Sequence, residues 1–138
     1  MPQQRLVYTA LLVPDYDEGI AFFTQVLRWQ LLQDTPLGPT KRWVVVSPTA
    51  ASEAGGALLL AQAGTPEQAA QVGRHAGGRV GLFLHTSDLA ADMAHMQRQG
   101  VRFLETPRHE AYGSVVVFQD PWGNRWDLIQ PTTEGHTP

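Results

Sequence analysis

Apolar runs of strand length, each closed by an aspartate and followed by an amphipathic stretch, recur along this chain. Tyr8-Thr-Ala-Leu-Leu-Val-Pro-Asp15 is the first, and Gly81-Leu-Phe-Leu-His-Thr-Ser-Asp88 repeats its design 73 residues (88 − 15) later. Both read as a strand ending on a helix cap. Asp15 and Glu18 make a capping box, after which Ile20, Phe23 and Leu27 recur on one helical face. Asp88 precedes Leu89, Met93 and Met96 on one face, and Gly100 supplies a left-handed stop. The runs ending in Gln62 and Gln130 match in the same way, 68 residues (130 − 62) apart, and read as closing strands.

Turn chemistry punctuates these elements. Between Val115 and Gln130 the chain reads as strand, tight turn and strand: Asp120 can bond the backbone ahead of it, Pro121 presets φ, and Gly123 suits the fourth turn position. Thr65 can cap a short helix with Pro66 at its first position and Gly73 at its end, and Gly77 and Gly78 lead into the next strand. The small, polar segment from Ser47 to Gly56 predicts an exposed loop, and the polar tail after Pro131 predicts a frayed end.

A length of 138 residues with 43% hydrophobic content predicts one domain over 1–138 able to bury a core. With no cysteine, disulfides and thiolate metal sites are excluded. Net charge is −3 and Lys41 is the single lysine, so there is no basic stripe and nucleic acid is not an expected partner. No signal peptide or membrane-spanning run is read, which predicts a cytoplasmic protein with no membrane partner. Phosphate-cradling and nucleophile-elbow motifs are absent, which removes nucleotide and serine-hydrolase chemistry.

The segment Asp120-Pro-Trp-Gly-Asn-Arg-Trp-Asp127-Leu resembles the C-terminal signature D-P-x-G-N-x-x-E-L of the vicinal oxygen chelate superfamily. That superfamily contains glyoxalases, extradiol dioxygenases and bleomycin- and fosfomycin-resistance proteins. The resemblance runs from about Leu6 to Pro131. It implies an α+β fold of two tandem βαβββ modules, at 5–62 and 79–131 with a connection at 63–78, forming curved mixed sheets around a cavity. It also implies a homodimer with pockets near the interface. Arg28 stands where a Gly usually follows the first helix, so the local turn there is open to differ.

In such proteins a divalent metal is held at matching positions of the modules, here Tyr8, Leu59, Gly81 and Asp127. Only Asp127 is an ordinary ligand; leucine and glycine offer no donor, and tyrosine must first lose its proton. Catalytic zinc and iron sites keep about three protein ligands. No metal and no other cofactor is therefore expected. Strand alternation puts Gly81, Phe83 and His85 on one face, with His85 roughly 13 Å from position 81, too far to substitute as a ligand. His75 is read in the connection, His95 on the second helix, His109 in a loop and His136 in the tail, and none pairs at helical spacing.

What remains is a pocket. Alternation collects Tyr8, Ala10, Leu59, Phe83, His85 and Asp127 on the concave face, and turns Thr9, Leu11, Leu82, Leu84, Trp126 and Leu128 toward the helices. Trp43 and Tyr112 add large faces with a hydrogen-bonding tip. A lone carboxylate at Asp127 needs a partner, for which Tyr8, Arg79 and Arg108 are candidates. The leading reading is a metal-independent protein that binds a small, partly aromatic molecule through Tyr8, Trp43, Leu59, Phe83, His85, Tyr112 and Asp127. This is nearest to the drug-sequestering branch, although −3 is a modest charge for a cationic drug. The rival is a lyase, isomerase or dioxygenase-like enzyme using Tyr8, His85 and Asp127. A third reading is an interaction module whose pocket is filled by its own side chains.

Overall fold

A computed structural model describes residues 1–50 and 55–132. The chain divides into two compact units, Met1–Val72 and Gly73–Pro138. In the first, β1 (Tyr8–Val13) leads into α1 (Tyr16–Ala21), followed by β2 (Gln30–Pro36), β3 (Arg42–Ser47) and β4 (Ala57–Gln62), with α2 (Pro66–Gln71) closing the unit. The sheet order is β1-β4-β3-β2; β1 and β4 run parallel, and the other pairs are antiparallel. In the second, β5 (Val80–His85) precedes α3 (Leu89–Arg98), then β6 (Arg102–Phe103), β7 (Arg108–Glu110), β8 (Gly113–Gln119) and β9 (Arg125–Pro131). Its order is β5-β9-β8-β6, with β7 also on β8 and β5 parallel to β9. The fold is mixed α+β, built on one βαβββ plan twice. In the second copy the strand after the helix is split into β6 and β7, and Pro107, which has no N–H to give a ladder, lies between the pieces.

The caps sit where the sequence puts them. Asp15 accepts the N–H of Glu18 at 2.9 Å, Asp88 that of Ala91 at 3.0 Å, and Thr65 that of Gln68 at 3.1 Å. Gly73 and Gly100 take left-handed φ of 83° and 84° at the ends of α2 and α3. Leu89 and Met96 bury the inner face of α3, with Met93 half-buried.

The first helix departs from its expected face. It widens into a π-helical turn at Phe22–Val26. The extra residue in that turn brings adjacent Phe22 and Phe23 both inward, while Ile20 and Leu27 are only half-buried. The two phenyl rings meet edge to face at 5.1 Å, and Phe23 lies 4.9 Å from Trp29. Arg28 takes φ 61°, the left-handed conformation that a glycine would adopt, so the turn keeps its form without the glycine.

Alternation sorts most strand residues as the pattern requires. Leu11, Val13, Leu58 and Leu60 are buried in the first sheet, and Val116, Phe118, Trp126 and Leu128 in the second, where Trp126 stacks on Phe118 at 5.5 Å. Leu82 and Leu84 are half-buried. Thr9 is exposed rather than covered, because it lies at the start of β1, ahead of the part that α1 covers. His109 belongs to β7 rather than a loop, and its Nδ1 lies 2.9 Å from Ser114 Oγ across the ladder. The loop expected at 47–56 falls partly, and the tail with His136 wholly, outside the described residues.

Candidate functional site

Three predicted ligand contacts come together in the first unit. Ala10 is paired with Leu59 across β1 and β4, and Leu59 with Val45 across β4 and β3. Tyr8, Leu59 and Trp43 therefore share the face opposite the helix-covered one. The rings of Tyr8 and Trp43 stand edge to face, 6.0 Å between centroids at 80°. Trp43 and Leu59, with Leu12 and Ala61, line a cleft of about 890 Å³, which is within the range common for small-molecule pockets. Sequence reasoning missed its polar edge, Lys41, Gln62 and Gln68. Nothing in strand periodicity points to these residues, since they come from a hairpin loop, a strand end and a helix.

At the edge of the cleft, Arg42 is locked. Its guanidinium forms a fork with both oxygens of Asp34, at 3.0 and 2.7 Å, donates to Asp17 at 2.9 Å, and lies 5.2 Å from the Tyr16 ring centroid. The hydrogen bond from Arg42 holds the Asp34 carboxyl below its ordinary range.

In the second unit Asp127 is paired with Phe83 on one side and Val117 on the other. Phe83 is 63% exposed, a large phenyl left open beside the carboxylate. Asp127 Oδ1 is buried and accepts no hydrogen bond from the described residues. Burial in this apolar strip raises its pKa, with Arg108 opposing through space and Glu105 reinforcing. Arg108, one of the three candidate partners for it, does not bond it directly: the guanidinium bonds Glu105 at 2.8 Å and Glu110 at 3.1 Å instead. Tyr112 lies in the turn between β7 and β8, half-buried. His85, exposed at the end of β5, is paired with Ile129 in the ladder, and its side chain makes no hydrogen bond among the described residues.

Gly81 does not share the face of Phe83 and His85. The register slips between Val80 and Leu82, so that β5 carries one extra residue against β9. A Cβ on Gly81 would lie 2.6 Å from that of Ala76, toward the preceding loop.

The D-P-x-G-N turn itself is a folding device. Asp120, 3% exposed, accepts the backbone N–H groups of Trp122, Gly123 and Asn124 at 2.9–3.1 Å, and the side chains of Asn124 and Trp126 at 2.9 and 3.2 Å. Asn124 Oδ1 then accepts the N–H of His75 at 2.9 Å, tying the entry loop of the unit to the turn.

Residues 5–128 match the Glyoxalase/Bleomycin resistance protein/Dioxygenase superfamily, and the chain belongs to it. An uncharacterized protein of Shewanella frigidimarina is 47% identical over 129 residues, 93% of this chain and 94% of its own. A 2-epi-5-epi-valiolone epimerase of an Actinomyces species is 30% identical over 140 residues, 88% of this chain and 76% of its own. Among solved structures, TnmS3, an antibiotic binding protein from Streptomyces sp. CB03234, superposes with a TM-score of 0.73 at 29% identity, covering 96% of this chain and 99% of that one.

The metal associated with this superfamily can be tested against the donors present. At the corresponding positions Leu59 is an aliphatic side chain lining a cleft, and Gly81 has no side chain and is displaced by the bulge. Among the described residues no three His, Cys, Asp or Glu side chains gather into a ligand set. The donor set does not fit a metal held in that way.

Proposed function

We propose that this protein binds a small, partly aromatic molecule without using a metal. The observation that supports this most strongly is the cleft of about 890 Å³ in the first unit, where Leu59, a side chain that offers no metal donor, lines the wall. Trp43 and Leu59 would contact the ligand directly, with Tyr8 bracing Trp43 from the side. On the second unit, Phe83, His85, Tyr112 and Asp127 are proposed contacts of the same kind, Phe83 offering an open apolar face and Asp127 an acceptor beside it. We take the protein to be a cytoplasmic homodimer. No helix among the described residues is long and apolar enough to cross a membrane.

Metal-stripped protein should bind aromatic ligands with quenching of tryptophan fluorescence, and Trp43→Phe should remove most of that quenching. Binding that appears only when a stoichiometric divalent metal is restored would overturn the reading.

A second reading is an epimerase- or lyase-like enzyme. It is favoured by the 30% identity to an epimerase and by a carboxyl at Asp127 whose raised pKa suits proton transfer. Asp127→Asn separates the two, since it abolishes turnover if the carboxylate is a base and weakens binding only moderately if it is a contact.

A further inference from the structure

The side-chain amides at the edge of the first unit's cleft turn their donor halves toward a ligand, because the oxygen of each is already oriented onto a backbone N–H. Gln62 Oε1 accepts the backbone N–H of Tyr16 at 3.0 Å, and Gln68 Oε1 accepts that of Gly64 at 2.8 Å. A backbone N–H can only donate, so each amide must present its oxygen to that partner. Both Nε2 groups remain, and neither has an acceptor among the described residues.

Lys41 adds a third donor at the same edge. Its backbone is held in the hairpin by the N–H of Leu37 at 2.8 Å, and its ammonium has no ion-pair partner among the described residues. Arg42, which also lines the cleft, is already paired with the carboxylates of Asp34 and Asp17. Among the described residues no aspartate or glutamate lines the cleft, although the chain as a whole carries a charge of −3. The hydroxyls of Thr40 and Tyr16 can serve either way, and the Tyr16 oxygen accepts the N–H of Arg42 at 3.3 Å.

From this we infer that the ligand is an acceptor-rich molecule: an apolar or aromatic body bearing carbonyl or carboxylate oxygens, with the body against Trp43, Leu12 and Leu59 and the oxygens toward Lys41, Gln62 and Gln68. An ammonium-bearing ligand is disfavoured, since among the described lining residues it would meet the Lys41 cation and two amide donors, and the nearby carboxylates of Asp34 and Asp17 are engaged by Arg42. The inference rests on the binding function proposed above and narrows it to one class of ligand.

The test uses two probes with the same ring system and opposite charge, pyrene-1-carboxylate and 1-pyrenemethylammonium, titrated by fluorescence into the full chain. The carboxylate should bind at least about tenfold more tightly, one favourable charged contact being worth about that much. Gln68→Glu keeps an oxygen for Gly64 N–H and turns the remaining donor into an acceptor, and Gln62→Glu does the same beside Tyr16. Either substitution should lower carboxylate affinity about tenfold, and Lys41→Glu should reverse the preference. Thermal melts confirm that each variant is folded. Equal binding of both probes, unchanged by the three variants, overturns the donor-lined assignment while leaving the binding function intact. Failure of folded wild-type protein to bind either probe at millimolar concentration overturns both.

Discussion

Gln62 and Gln130 perform the same act in the two units. Gln62 Oε1 accepts the N–H of Tyr16, the first residue of α1, at 3.0 Å, and Gln130 Oε1 accepts that of Leu89, the first residue of α3, at 2.8 Å. Each ties the end of a closing strand to the first N–H of a helix, a group that has no partner within the helix itself. Replacing either with Ala should cost about 1 kcal/mol. Replacement with Glu should change stability by no more than about 0.5 kcal/mol, because a carboxylate oxygen still accepts and suits a helix N-terminus. Urea denaturation of the four variants checks both values.

The Asp120 turn should be the least tolerant point of the second unit. Asp120→Ala removes a carboxylate that accepts from five donors, three of them backbone N–H groups, and should cost about 3 kcal/mol or more. Gly73→Ala should cost at least about 2 kcal/mol, since its φ is 83° and its Cβ would overlap the Trp122 carbonyl. Thermal unfolding of both variants, with Trp126 fluorescence as the local reporter, measures this.

Arg28 holds a left-handed backbone that costs an L-residue about 1 kcal/mol. Arg28→Gly should therefore raise stability by about 0.5–1 kcal/mol, and Arg28→Val, a β-branched residue in the same conformation, should lower it by about 1 kcal/mol or more. A rise for Val equal to that for Gly would show that the arginine side chain, not its backbone, governs the site.

Asp127 predicts a pH dependence with a definite sign. Burial raises its folded pKa above the ordinary value of 3.8, so the folded protein prefers the neutral acid. Its contribution to stability is full below pH 3.8 and is lost as pH rises through the raised pKa. Asp127→Asn should thus be more stable than wild type at neutral pH, with the difference shrinking to nothing on acidification. Denaturation midpoints measured across that range decide it; a variant less stable at pH 7 would mean that the ionised carboxylate has a partner.

The repeat, the caps, the turn at Asp120 and the inward parity of Trp126 were legible in the sequence because each depends on neighbours within a few residues, or on an alternation that any strand imposes. The family followed from the same local signature. The meeting of Tyr8 with Trp43 was half legible: alternation placed Tyr8 on the concave face and Trp43 was a candidate for its size and polar tip, but nothing set the two rings 6.0 Å apart.

Tertiary structure alone decided the rest. The bulge that takes Gly81 out of line depends on how β5 registers against β9, and the π-helical turn that buries Phe22 depends on the core it must fill. Gln62, Gln68 and Lys41 acquire meaning only when a strand end, a helix and a hairpin converge on one cleft. Sequence by itself determined most of the elements and, outside the first helix, which face of each is apolar, because backbone geometry and burial act residue by residue. Which polar groups are spent on one another, and which are left for a ligand, only the folded chain decides, because a hydrogen bond between distant residues has no periodicity to announce it.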